Sequence, residues 1–471
     1  MATRKKKDLP AERELSIGGA PALWPHQEKT RAFFARRERG LDFSDAGTGK
    51  TAAQIAIYAD RPKPRGRWLI ICPKTLMVPA WLRDLETFAP HLTVSVADAE
   101  RRLEAFQSTT DVVIMNTDGT RFFDTPAKLK LLKDFDHITI DEVSYFKNMQ
   151  SQRTKKLMQM RKFFRRRYAM SATPNPISVM ELFAPAYFVD DGKALGASYT
   201  RLRSVCQVPT QVGPDPKMLE WNDKPGAKQA VADLLAPMTI RHDFDEVMVH
   251  VPKGHKHTIE FDLGRKAMKA YEQMARELML AHEDSKISAV HAASLRSKLL
   301  QIASGAVYDG NGNYVVIDTG RYELIAEYME NIDHNVVFFN WKHQRDQLVE
   351  QMEKQKRSYA VIDGDVPQRL RDEIVADYQN GRYNTILLHP RTGAHGLTLT
   401  KGTTTGFSSP LYEADLMVQA MARIRRGSQT QVTHAVFFQA RNTVESLVYD
   451  KLNGRAEDMA EMLRLQLDFS R

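Results

Sequence analysis

The chain is expected to fold as an α/β protein, with two parallel-sheet units and a mostly helical stretch between them. Three observations carry this expectation. Short β-like runs alternate with helix-spaced segments from residue 41 to about 175, and the alternation resumes from about 321. The stretch "LDFSDAGTGKTAAQIAIYA" (41–59) passes from an apolar run through a glycine turn into an alanine-rich segment with helical spacing. The 471 residues are enough for two to three domains.

Residues 1–20 form a basic tail, in which Arg4–Lys7 reads as a solvated charge cluster. The tail lacks the apolar core of a signal peptide, and no apolar run approaches the roughly 18 residues of a spanning helix. A non-secreted, cytoplasmic protein without a membrane partner is expected. Residues 21–176 are read as the first unit, with strand candidates at 41–44, 67–72, 93–97, 111–116, 137–141 and 167–173. Residues 177–320 are read as an insertion. Its "VPTQVGPDPKMLEWNDKPGAK" is rich in Pro, Gly and charge and reads as a loop or protrusion. Two helices follow, one with Met268, Tyr271, Ala275 and Leu278 on a face, the other with Leu295, Leu299 and Ile302. Residues 321–471 are read as the second unit with C-terminal helices, its strands at 335–340, 358–364, 384–390 and 433–439.

Composition narrows the function. With 42% hydrophobic and 27% charged residues the chain can build large cores, and wholesale disorder is excluded. A net charge of +9 favours polyanions, nucleic acid above all. Cys72 and Cys206 are the only cysteines, so neither a disulfide framework nor a zinc cluster is available, and a reducing setting fits.

The glycine turn is built for phosphate. Gly47 and Gly49 let the backbone approach phosphate oxygens, and the following helix presents its positive end to the same anion. Lys50 supplies a charge to the β and γ phosphates and Thr51 a hydroxyl to Mg²⁺. Ser44 stands where the strict pattern has glycine. The run "HITI" ends in Asp141-Glu142. Such a pair also serves as a plain surface or cap pair, but beside a phosphate cradle it suits metal holding by the first acid and water activation by the second. "VQAMARIRRGSQ" (418–429) places Arg423 and Arg426 three apart on one expected helical face, where guanidinium forks can stabilise charge spreading over a γ phosphate.

Together "LWPHQ" (23–27), "DAGTGKT" (45–51), "ICPKTL" (71–76), "DEVSYFKN" (141–148), "SATPNP" (171–176), "VVFFNWKH" (336–343), "HPRTGAHGLTL" (389–399) and "QAMARIRRGSQ" (419–429) resemble an ordered motif series. It is that of helicase-like ATPases with two RecA-like lobes, specifically the Swi/Snf group of double-stranded DNA translocases. "IRHDFDEVMVHVPK" (240–253) resembles that group's inter-lobe arginine and proline segment, and "LRSKLLQIASG" its following helix. The resemblance spans nearly all of the chain after residue 20. It assigns Gln27 to adenine recognition, and Asp45, Gly47, Thr48, Gly49, Lys50 and Thr51 to the nucleotide. It assigns Thr51 and Asp141 to Mg²⁺, Glu142 to water activation, and Arg423 and Arg426 to arginine fingers. Ser171, Ala172 and Thr173 would couple nucleotide state to lobe motion, and Lys74, Arg391, Thr392 and Gly393 would lie near DNA. Ser144, His395 and Ala422 depart from the group's usual residues, which bears on coupling more than on hydrolysis.

The resemblance implies an ATP- and Mg²⁺-dependent motor that grips the backbone of double-stranded DNA, works as a monomer, and displaces or loads a DNA-bound protein. Its location would be the nucleoid or viral DNA. The alternatives are a strand-separating or branch-remodelling helicase, which uses the same residues, and a nucleotide-switched scaffold.

Overall fold

The computed structural model describes residues 21–63, 65–174, 178–211, 218–283, 297–309, 311–393, 397–411, 413–454 and 457, the side chains of 278–283 excepted. The basic tail, Leu278, Leu295, His395 and the expected C-terminal helices beyond 457 lie outside the described residues. The chain divides into two units, one running to His250 and the other beginning at Val251.

The first unit is a seven-stranded parallel sheet. Its strands are β1 (Arg39–Asp42), β2 (Arg67–Cys72), β3 (Val94–Ala97), β4 (Val112–Asn116), β5 (Phe135–Asp141), β6 (Arg166–Met170) and β9 (Thr239–Ile240), in the order β3-β4-β2-β5-β6-β1-β9. Five of the six residues of β2 are fully buried, which is why the strand reads as a continuous apolar run rather than an alternating one. On one face Trp68, Ile70 and Cys72 pack with Ile55 and Tyr58 of the helix Lys50–Ala59 and with Trp81. Each such fully buried side chain is worth about 1.5–3 kcal/mol over exposure. The expected strand at 41–44 is found two residues earlier, because the glycine turn begins at the strand's end.

The segment expected as a separate insertion is shared between the units. The stretch read as a loop holds an antiparallel hairpin, β7 (Gln207–Gln211) and β8 (Leu219–Asp223). The two residues of β9 pair with β1, adding a seventh strand to the first sheet. Downstream, β10 (His255–Phe261) pairs in parallel with the last strand of the second unit over seven residues, from His255↔His434 to Phe261↔Ala440. The sequence hides β10 because it is an exposed edge rich in His and Lys, and apolar periodicity marks only buried strands.

The second unit is a six-stranded sheet. β13 (Asn335–Phe338), β14 (Tyr359–Ile362), β15 (Thr385–Leu388), β16 (Thr404–Phe407) and β17 (His434–Ala440) join β10 in the order β10-β17-β16-β13-β15-β14, all parallel. β16 has the sequence "TTGF", too poor in large apolar residues to stand out. A small antiparallel pair, β11 (Ala306–Tyr308) and β12 (Tyr314–Val316), lies between β10 and β13 in sequence. A fully buried ion pair, Arg321 Nη2 to Glu445 Oε1 at 2.7 Å, braces the sheet, and the same guanidinium donates to the carbonyls of Ala303 and Ser408.

Candidate nucleotide and motor site

The loop after β1 is held from both sides. Asp42 Oδ1 accepts from the Ser44 amide at 3.0 Å, and Phe43 N and Asp45 N donate to the carbonyls of Ile240 and His242. Gly47 and Gly49 have φ of 84° and 78°, left-handed values that a side chain disfavours. Ser44 has no positive φ, so its Cβ causes no strain, and its hydroxyl accepts from the His242 amide at 3.1 Å. That is why the glycine pattern can lapse there. The helix Lys50–Ala59 starts without a side-chain cap, so its first-turn amides remain donors for an anion. Lys50 Nζ donates to the carbonyls of Ser44 and Asp45 at 2.6 and 3.0 Å, which places the ammonium inside the loop's curve.

The acids lie at the end of β5, two strands from β1. Asp141 Oδ2 accepts from Trp81 Nε1 at 2.9 Å. Burial, reinforced by the neighbouring Glu142 carboxylate, raises the Asp141 pKa to about 6, while the Trp81 hydrogen bond and the Lys50 charge oppose the rise. Glu142 adopts φ 55°, a costly conformation for a side-chain-bearing residue, and the turn Val143–Phe146 follows directly. Its Oε1 accepts from Ser144 Oγ at 2.9 Å and from Ser171 Oγ at 2.5 Å. Ser171 Oγ also accepts from the Thr173 amide at 3.1 Å. Ala172 and Thr173 are both buried. Ser144 and Ser171, on separate segments of the chain, therefore meet on one carboxylate oxygen.

Three further side chains hold the loop. Gln27 is buried; its Oε1 accepts from Trp24 N, and its Nε2 donates to the carbonyls of Thr48 and Gly49 at 3.2 and 3.1 Å. His26 Nε2 donates to the Thr48 carbonyl at 2.7 Å. Arg241, only 4% exposed, donates from Nη2 to Asp45 Oδ1 at 2.9 Å, and the Phe244 amide donates to Asp45 Oδ2 at 3.0 Å. Asp45 thus spends its carboxylate on the chain after β9. Arg241 lies in a segment the sequence had marked, but its link to Asp45 is invisible without β9. Trp81 gives no sequence signal of its role.

The remaining expected residues stand elsewhere. Lys74 is exposed at the start of the turn Lys74–Leu76, off the carboxyl end of β2. In the second unit Arg391, Thr392 and Gly393 form the short helix Pro390–Gly393 after β15. Arg391 pairs with Glu413 at 2.7 Å, Thr392 is buried, and Gly393 packs so tightly that a Cβ there would lie 2.3 Å from Leu388. The helix Ala414–Met421 stops before the arginines, which corrects the expectation that Arg423 and Arg426 share a helical face. They also differ in setting. Arg423 is 5% exposed and donates to the carbonyls of Gln419 and Leu397 at 2.9 and 3.2 Å. Arg426 is less enclosed, with Nε 3.4 Å from the Ala422 carbonyl. Arg425 donates to the Pro252 carbonyl at 3.0 Å.

Hard oxygen donors such as the Thr51 hydroxyl and the Asp141 carboxylate fit Mg²⁺, which commonly takes one or two protein oxygens and completes its shell with water and phosphate. No cluster of three metal-ligating side chains occurs among the described residues.

The chain matches the SNF2-related domain over residues 26–305 and the helicase conserved C-terminal domain over residues 320–428. It is similar to protein p41 of Acyrthosiphon pisum secondary endosymbiont phage 1, 26% identical with 89% of this chain and 93% of that protein aligned. It is 21% identical to the chromodomain-helicase-DNA-binding protein 1-like of Danio rerio, covering 92% of this chain and 43% of that one. It is 24% identical to the DNA annealing helicase and endonuclease ZRANB3 of Mus musculus, covering 92% and 40%. The chain thus spans less than half the length of both vertebrate relatives. A solved Sulfolobus solfataricus SWI2/SNF2 ATPase core in complex with dsDNA aligns over 97% of this chain and 98% of that one, at 20% identity and a TM-score of 0.44.

Proposed function

Because the chain belongs to the SNF2-related family, we propose that it is an ATP-hydrolysing motor that translocates on double-stranded DNA and displaces or remodels what is bound there. One observation carries the reading. The glycine loop with Lys50 and the Asp141-Glu142 pair occupy the carboxyl ends of β1 and β5, separated by β6 in one sheet, and Lys50 lies close enough to Asp141 to lower its proton affinity.

Each residue has a task in this reading. The amides of Gly47 through Thr51 and the Lys50 ammonium bind the triphosphate. Thr51 and Asp141 would hold Mg²⁺, which would neutralise phosphate charge. Glu142, fixed by two serine hydroxyls, takes the proton of the attacking water. Both amide protons of Gln27 are engaged with the loop, so its contribution to base selection falls to Oε1. That acceptor suits the exocyclic amino group of adenine and not the carbonyl of guanine. Arg426 acts on the γ phosphate during part of the cycle, and Arg423 orders the segment that carries it. Ser171, joined to Glu142 by hydrogen bond, passes the state of the γ phosphate to the chain that follows.

Lys74 and Arg391, with the net charge of +9, supply a backbone grip on DNA that reads no bases and weakens with salt. The test compares ATPase activity with duplex DNA, single-stranded DNA and RNA, alongside triplex and strand displacement. Duplex stimulation with triplex displacement and no strand separation is the expected result. Strand separation without triplex displacement would select the helicase reading, and equal activity with and without nucleic acid would sink the motor reading.

A further inference from the structure

Away from the nucleotide loop, the first unit contains a cleft of about 520 Å³, within the roughly 300–1,000 Å³ typical of small-ligand sites. Met149 and Met180 line it together with Tyr199, Arg203 and Trp221. The Arg203 guanidinium carbon lies 4.2 Å from the Trp221 ring centroid and 5.8 Å from that of Tyr199. Trp221 stands opposite Pro209 on the hairpin, and the two-residue period puts Leu219, 41% exposed, on the same face. A planar aromatic and guanidinium surface therefore continues out of the cleft.

The acids near this surface are engaged internally. Glu181 pairs with Lys147 at 2.7 Å. Asp223 accepts from Ser178 Oγ, the Val179 amide and Gln207 Nε2, which pins the hairpin to the rest of the unit. Glu220 falls on the opposite face of the hairpin by the same period. A partly apolar surface that carries the Arg203 guanidinium beside Trp221, with the amide groups of Asn148 and Gln150 also in its lining, matches a heterocycle that carries a phosphate.

We propose that this cleft stacks an unpaired nucleobase of DNA, so that the chain engages duplex best where a base is extrahelical, as at a gap, bulge or branch. The inference rests on the DNA-binding reading above and adds the form of DNA preferred.

The experiment uses the full chain and three probes: a blunt duplex, the same duplex with one extrahelical 2-aminopurine, and the matching single strand. The wild-type protein should bind the extrahelical probe about tenfold more tightly than the blunt duplex, with the 2-aminopurine quenched by stacking. Trp221→Ala should erase that preference and the quench, leaving blunt-duplex affinity and DNA-free ATPase activity unchanged. Trp221→Phe should keep both, whereas Trp221→Leu, with apolar bulk and no π face, should lose both even if the alanine variant proves unfolded. Equal wild-type affinity for blunt and extrahelical probes overturns the cleft proposal alone, as does a full preference retained in Trp221→Leu. Failure to bind any of the three probes overturns the DNA-binding reading and the cleft with it.

Discussion

The two units share one layering, a parallel sheet with chemistry expected at its carboxyl end, yet they treat the helix that follows an early strand in opposite ways. After β1 the chain enters a turn with two left-handed glycines, and the helix Lys50–Ala59 begins with no side-chain cap. After β13 the turn that leads into the helix Lys342–Lys354 is bound by side chains. Gln344 Oε1 accepts from Asn340 N at 2.7 Å and Trp341 N at 3.3 Å, while Asn340 Nδ2 donates to Ser409 Oγ and the Pro410 carbonyl. One helix is entered through two left-handed glycines, the other through a turn whose Asn340 and Trp341 amides donate to the Gln344 side chain. The shared layering does not distinguish the two strand ends; the loop does.

That contrast can be broken most severely at the groups proposed to act on the nucleotide. Lys50→Ala should remove nucleotide binding and hydrolysis together, whereas Arg426→Ala should cut turnover by about 10³-fold or more while leaving binding of a fluorescent nucleotide nearly intact. Nearly normal turnover in Arg426→Ala would show that the second unit does not contribute to the chemistry.

Stability offers the next test. Glu445→Gln leaves the buried Arg321 guanidinium without its counter-charge and should destabilise the second unit by about 3–5 kcal/mol. Asp191 faces three arginines in the first unit, and their hydrogen bonds and charges hold its carboxyl well below the usual range. That carboxylate is 40% exposed, so water screens it. Asp191→Asn should therefore cost less than Glu445→Gln. Hydrogen exchange resolved by segment reads each unit separately, and a larger loss in the first unit would reverse the comparison.

A smaller effect concerns pH. Burial lowers the pKa of His242 in the first unit and of His343 in the second to about 4. The unfolded chain takes up these protons first as pH falls through about 6.5, so stability drops between about 6.5 and 4 and levels off below. His343→Asn should flatten that slope in the second unit only; an unchanged slope there would exclude His343 as its source.

The mildest expected change is at the hydroxyls on Glu142. Ser171→Ala, which removes the shorter bond, should reduce turnover more than Ser144→Ala, each by about tenfold or less, with nucleotide affinity kept. Equal, undiminished rates would mean that the Glu142 carboxylate needs neither serine.

Legibility followed runs of large apolar residues, which burial favours but does not ensure, since β16 is buried throughout yet reads TTGF. The strands at β2, β4, β5, β13 and β15 could be read because both faces are covered, which favours apolar residues throughout. β9, β10 and the hairpin could not. β9 has only two residues, and the other strands lie exposed at an edge or outside the main sheets, where residue type is weakly constrained. The boundary between the two units falls inside the expected insertion, where the strands are the inconspicuous ones. At the site, the glycine turn and the acid pair were legible because each depends on residue type within a few positions. The cap of Trp81 on Asp141, the tether of Arg241 to Asp45, and the burial of Arg423 depend on contacts between distant segments.

By itself, the sequence determined the layered α/β class, the glycine turn and the acid pair at the strand end, because local chemistry and hydrophobic period are written within short windows. Only the tertiary structure decided which arginine is enclosed, where one unit passes to the next, and which carboxylate two serines share. Those outcomes depend on pairings such as β9 with β1 and Ser171 with Glu142, and a hydrogen bond across the fold leaves no mark on the residues between its partners.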